Sequence, residues 1–193
     1  MKWIIRIGIV TVGIPSLAIG LLVLARFRPG VGHVSSAIDV NRPAADVFRW
    51  ISRPELMERW FGGISEITRV APTDLTRVDE RIGDHFRAVE TDKDQTTRTD
   101  LDMTVTEFVP NERFGLQIEP LGDPATSFTE KAQYRLSEVG GTTHVEFETQ
   151  TTFHGRLSRS FEPFITSASR TKFQHDLERL KVLVEAETAT EIH

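Results

Sequence analysis

Apolar and polar residues along this 193-residue chain follow three successive regimes. From Ile7 to Ala25 there is no alternation, only nineteen positions without a charge. A helix of that length rises about 28 Å, close to the hydrocarbon thickness of a bilayer. From residue 33 the period becomes two, is interrupted by a short stretch of helical spacing, and resumes through the middle of the chain. Near the C-terminus the period lengthens again, to the spacing of one long helix.

The opening segment reads as a membrane anchor with its flank, residues 1–29. Gly8, Gly13, Gly20 and Pro15 weaken a helix in water but are tolerated in lipid, and Trp3 sits at an interfacial position. A cleaved secretory signal is the competing reading, because Lys2 and Arg6 form a basic start and Val23, Leu24 and Ala25 offer a small-residue cleavage site. Length and the following Arg26 and Arg28 favour the anchor. Basic residues on both flanks leave the side of the membrane open.

A single domain over residues 30–187 follows the Pro29–Gly30 break, with a disordered tail over 188–193. Val34, Ser36, Ile38 and Val40 form one face of a first strand. Asn41 is positioned to cap a helix carrying Ala44, Val47, Phe48 and Ile51 on one side. Pro54 opens a second short helix that Gly62 and Gly63 stop. Weak strands are predicted over 64–70 and 81–89, with a loop over 91–97. Clear alternation places Leu101, Met103 and Val105 on one face of a strand, then Phe114, Leu116 and Ile118, then Ala132, Tyr134 and Leu136, then Val145, Phe147, Thr149 and Thr151. Such half-apolar strands belong to an antiparallel sheet. Gly140 and Gly141 mark a hairpin between the last two. A final helix from about Ser158 to Glu187 carries a continuous stripe of Phe161, Ile165, Ala168, Phe173, Leu177, Leu180 and Val184. Its serines read as an N-cap and as small residues at packing points.

Charge and composition narrow the chemistry. Beyond Pro29 the chain has 19 basic against 28 acidic residues, a formal charge of −9. That surface repels phosphate backbones, and the arginines are dispersed, so nucleic acid is not an expected partner. Absence of cysteine excludes disulfides, thiolate metal sites and a cysteine nucleophile. The histidines show no metal spacing, and no nucleophile elbow, phosphate loop or dinucleotide turn is present. No metal and no cofactor are therefore expected.

Four runs carry a family resemblance: Ile38 to Phe48 (IDVNRPAADVF) with Pro54, Glu55 and Trp60 after it, Arg81 to Phe86 (RIGDHF), Val105 to Arg113 (VTEFVPNER), and Gly140 to Val145 (GGTTHV). Their order, with strand, two short helices, about six antiparallel strands and a long C-terminal helix, resembles the START-like SRPBCC superfamily of polyketide cyclases and dehydrases, pollen allergens and lipid-transfer domains. The likeness spans roughly residues 33–187. It implies an α+β helix-grip fold, in which a curved antiparallel sheet wraps around the C-terminal helix and encloses an apolar cavity. The inward phases then offer Met103, Val105, Phe114, Leu116, Tyr134, Val145 and Phe147, and the helix Phe161 and Ile165, as ligand-binding residues. The same pattern fits a filled core.

Three functions follow from that reading. The first is a membrane-tethered module that takes up a hydrophobic small molecule or lipid, with no catalytic residues. The second is a cyclase- or dehydrase-like enzyme using an acid or base among Asp84, His85, Glu107 and His154; His85 serves only if its strand turns it inward. The third resembles the heat-shock ATPase activators, where the surface engages a protein. His144 falls on the solvent phase, and His175 lies off the apolar stripe beside Asp176.

Overall fold

Alternating side chains over residues 31–40 form β1 (Val31–Val40), the first strand of a computed structural model that describes residues 30–70, 82–91, 97–122, 128–154 and 156–187. Two short helices follow, α1 (Ala44–Ser52) and α2 (Pro54–Trp60). Six further strands come next: β2 (Ile64–Val70), β3 (His85–Thr91), β4 (Arg98–Val109), β5 (Arg113–Leu121), β6 (Phe128–Val139) and β7 (Thr142–Phe153). The last element is α3 (Arg156–Ala186). All strand pairs are antiparallel, in the order β1-β7-β6-β5-β4-β3-β2. This is the helix-grip arrangement expected from the sequence.

Turn chemistry closes the sheet as expected in one place and differently in another. Gly140 and Gly141 both take positive φ between β6 and β7, which a two-residue hairpin turn requires and side chains resist. Asn41, by contrast, does not cap α1; its side-chain oxygen accepts from the Thr142 hydroxyl. The Ala44 amide instead donates to Glu138 at 2.8 Å, a carboxylate brought in by the β6–β7 hairpin. Pro54 does occupy the first turn of α2, where a missing N–H costs nothing.

Curvature has a local cause in β4. The register shifts between Val105 and Glu107, so Thr106 is an extra residue and Phe108 returns to the concave face opposite Phe114. Gly115 lies opposite, and a Cβ there would stand 3.0 Å from both Thr106 and Glu107. A bulge of this kind bends the strand and increases its twist.

The core lies between the concave face and the helices. Val47, Phe48, Trp50 and Ile51 of α1 and Met57 and Trp60 of α2 meet Leu101, Met103, Phe114, Tyr134, Val145 and Phe147 of the sheet. From α3 come Phe173, Leu177, Leu180 and Val184. The expected continuous stripe on this helix is therefore interrupted. Ile165 and Ala168 are exposed, since α3 at 31 residues is about 46 Å long and its first half extends past the core. The helix also begins two residues before Ser158, which places that serine inside the first turn rather than at a cap.

The expected anchor over 1–29 and the tail over 188–193 lie outside the described residues, as does most of the 91–97 loop. Among the described residues no helix is long and apolar enough to cross a membrane.

Candidate functional site

Where α1 gives way to α2, the chain holds Ser52, Pro54 and Met57 above Ile67, Phe86, Met103, Phe114 and Leu116 of β2–β5. Between them lies an apolar void of about 10 Å³. That is about the space of one water, and its walls are almost wholly apolar. Among the described residues, the space at this joint is thus well below ligand size. Aromatic rings occupy the room: Phe48 lies 5.3 Å from Phe108, Tyr134 stacks on Phe147 at 4.4 Å, and Phe147 meets Phe173 edge-on at 5.0 Å. Each such pair contributes about 0.5–1.5 kcal/mol beyond its area.

Of the nine residues proposed from sequence, Met103, Phe114 and Leu116 come together on this void. Val105, Tyr134, Val145 and Phe147 are buried in the same core without lining it. Ile165 is 38% exposed and stands away from the core, and the side chain of Phe161 lies outside the described residues. Five void residues were passed over from sequence, Ser52, Pro54, Met57, Ile67 and Phe86, of which Met57, Ile67 and Phe86 were legible as apolar positions of α2, β2 and β3. Met57 and Met103 matter because an unbranched thioether changes rotamer readily and fills irregular space.

Polar groups gather further along the concave face. Glu130 falls in the inward phase of β6 with Ala132 and Tyr134, and accepts from the Thr151 hydroxyl on β7 at 2.9 Å. Loss of water raises its carboxyl above the usual range, helped by the negative charge of Glu90; the Thr151 hydrogen bond and the Lys172 ammonium act in the opposite direction. Asp176, only 4% exposed, accepts from the Gly62 amide at 3.0 Å and from Lys172 Nζ at 3.2 Å. Lys172 Nζ also stands 4.0 Å above the Phe61 ring. Tyr134 is pushed well above the ordinary phenol range, first by burial and then by the charges of Asp176 and Glu130. It therefore remains a neutral hydroxyl, able to donate to a bound polar group.

Glu130 and Asp176 were missed in the sequence, although a signal existed for each. Glu130 is two and four residues from inward Ala132 and Tyr134, and Asp176 lies three residues from Phe173, on the helical stripe.

The proposed acid–base residues are scattered instead. His85 alternates with inward Phe86, so it turns to the convex face, where its Nε2 lies 3.4 Å from Asp102. Asp84 pairs with Arg69 at 2.9 Å and Glu107 with Arg113 at 2.6 Å. His154 is exposed beside the Thr129 hydroxyl at 3.0 Å. His144, placed on the solvent phase from sequence, lies 2.6 Å from Asp39 on the convex side. Exposed His175 joins none of these groups. Among the described residues no group of three or more histidines and carboxylates is placed to hold a metal ion.

Comparison with known proteins agrees with this architecture. Residues 31–185 match a family described as polyketide cyclase / dehydrase and lipid transport. A conserved protein of Geobacillus kaustophilus superposes with a TM-score of 0.62 at 11% identity, covering 80% of this chain and 94% of its own. A Chromobacterium violaceum protein gives 0.61 at 13%, covering 80% and 98%. DynU16, from the dynemicin biosynthetic locus, gives 0.56 at 17%, covering 81% of this chain and 48% of its own. At these identities the likeness concerns the fold alone. No curated protein sequence matches.

Proposed function

The chain belongs to the polyketide cyclase / dehydrase and lipid transport family, and on that premise we propose that it binds a hydrophobic small molecule or lipid between its sheet and α3 while tethered to a membrane by residues 7–25. The observation that carries the proposal is the apolar void at the α1–α2 joint, walled by two methionines and lying on the same concave face as a neutral tyrosine and a carboxyl whose pKa burial raises. The apolar part of the ligand displaces Met57 and Met103, and its polar end meets Tyr134 and Glu130. Burial supplies about 25 cal/mol per Å² of apolar surface, less the cost of opening a nearly filled interior. Binding is therefore coupled to side-chain rearrangement.

Organic extraction and mass spectrometry of the full chain, purified from its own membranes, tests this. A hydrophobic molecule at near-stoichiometric level, lost in Met103→Phe, is expected. Extracts identical to those of an unrelated single-span membrane protein would refute it.

A second reading has one observation in its favour. Glu130 is inward and burial raises its carboxyl above the usual glutamate range, the direction in which a general acid is tuned. On that reading the catalytic group is Glu130 rather than His85. Turnover of a polyketide-like ketone that vanishes in Glu130→Gln supports it; binding without turnover excludes it.

A further inference from the structure

The two halves of α3 differ in what they touch. Phe173, Leu177, Leu180 and Val184 are buried, whereas Phe164 is 74% and Ile165 38% exposed, and Ala168 is exposed beside them. Positions 164, 165 and 168 are three and four apart, so they form one side of the helix. This side is apolar, and Phe164 stands on it largely open to solvent.

Two independent features indicate what covers it. One is charge. Residues 156–170 contain three basic residues and a single acidic one, Glu162, in a domain whose formal charge is −9. The other is the path of the chain. Phe153 donates its amide to the Gly30 carbonyl at 2.8 Å, and Arg159 donates from Nε to the Phe153 carbonyl at 3.0 Å. A Cβ on Gly30 would lie 2.5 Å from Arg159 Cγ, and one on Gly32 would collide with the Thr166 hydroxyl. The peptide therefore leaves the domain alongside the first turns of α3. Phe164 is five residues beyond Arg159, about 7.5 Å along the axis. From Gly30 back to Ala25, five residues reach at most about 18 Å. A bilayer that holds Ile7–Ala25 is thus within reach of this half of the helix and of no other end of it.

We infer that the first half of α3 is a membrane-docking surface, on which Phe164 and Ile165 enter the headgroup region of an anionic bilayer while the basic excess of residues 156–170 meets lipid phosphates. This rests on the tether proposed above. The helix that closes over the interior is then also the helix that touches lipid, which gives a hydrophobic ligand a path that avoids water.

The chain has no cysteine, so single-cysteine labelling of the full chain is clean. Phe164→Cys and Ile165→Cys, labelled with an NBD fluorophore, are compared with Val139→Cys in vesicles of phosphatidylcholine and phosphatidylglycerol. Val139 is 82% exposed on the β6–β7 hairpin, whose Glu138 caps α1 and whose Thr142 bonds Asn41 next to Glu185, at the far end of α3. Docking predicts several-fold brighter, blue-shifted emission at 164 and 165, quenched by shallow nitroxide lipids, with an aqueous label at 139. Aqueous labels at 164 and 165 on protein that floats with the vesicles overturn docking and leave the tether standing. Protein that fails to float overturns the tether and docking with it. Bright labels that lipid nitroxides cannot quench also overturn docking, because protein then covers the face.

Discussion

Met103→Ala probes the apolar void directly. Met103 is 3% exposed and forms part of the void wall, so its truncation removes two carbons and a sulfur from a packed site. At about 0.8 kcal/mol per buried group the transfer loss is about 2.4 kcal/mol. Residual space of roughly 40 Å³ at about 24 cal/mol per Å³ adds about 1 kcal/mol. Met57, across the void, moves partly into the gap and reduces this second contribution. The expected loss is about 3 kcal/mol, or roughly 6–12 °C in Tm for a domain of this size. Near-UV circular dichroism of the full chain during heating in mild detergent reads it. The same variant in nanodiscs is expected to bind a naphthylamine dye more tightly than the parent, since part of the opening cost has been removed. A stability loss below about 1 kcal/mol would show that Met103 is not packed as described. A normal loss with unchanged dye affinity refutes the void as the route into the interior.

Other substitutions test the polar end and the caps. Glu130 has its carboxyl raised above the ordinary 4.5, so the folded state holds that proton more tightly than the unfolded state does. Its contribution is fully present below the unfolded value and is lost as pH rises through the folded one. Glu130→Gln should therefore gain stability relative to the parent as pH rises above the unfolded glutamate value in chemical denaturation, and a pH-independent difference contradicts the burial argument. Asp176→Ala deprives the Gly62 amide and Lys172 of their acceptor and should cost about 2 kcal/mol, with Asp176→Asn recovering part of it. A denaturation midpoint within error of the parent would rule that out. Glu138→Ala removes the acceptor at Ala44 and should cost about 1 kcal/mol, seen as faster hydrogen exchange in the first turn of α1 but not in α3.

Period-two alternation carried most of the fold. In β4–β7 every inward residue read from sequence between Leu101 and Phe147 is buried, because one face of an antiparallel strand must meet the core. The β6–β7 turn was legible for an equally local reason, since two consecutive glycines suit positive φ. The cap of α1 was not legible: its acceptor, Glu138, is 94 residues away and comes close only when the hairpin folds over. The reach of the C-terminal stripe was also misjudged. Periodicity shows that Ile165 shares a side with Phe173, but not that the core ends between them. Filling of the interior depends on how rings such as Phe48, Phe108 and Tyr134 interlock, and alternation reports only their side. Glu130 and Asp176 stood in apolar phases and could have been found by asking which charged residues break the pattern.

Photolabelling the full chain in native-like membranes with an alkyl diazirine probe, then mapping the cross-linked peptides, tests the central claim most directly. Binding in the interior predicts carbene insertion into α2 and the facing strands, in peptides containing Met57, Met103 and Leu116, with labelling suppressed in Met103→Phe. Labels confined to the exposed first half of α3, unchanged by Met103→Phe, would contradict it.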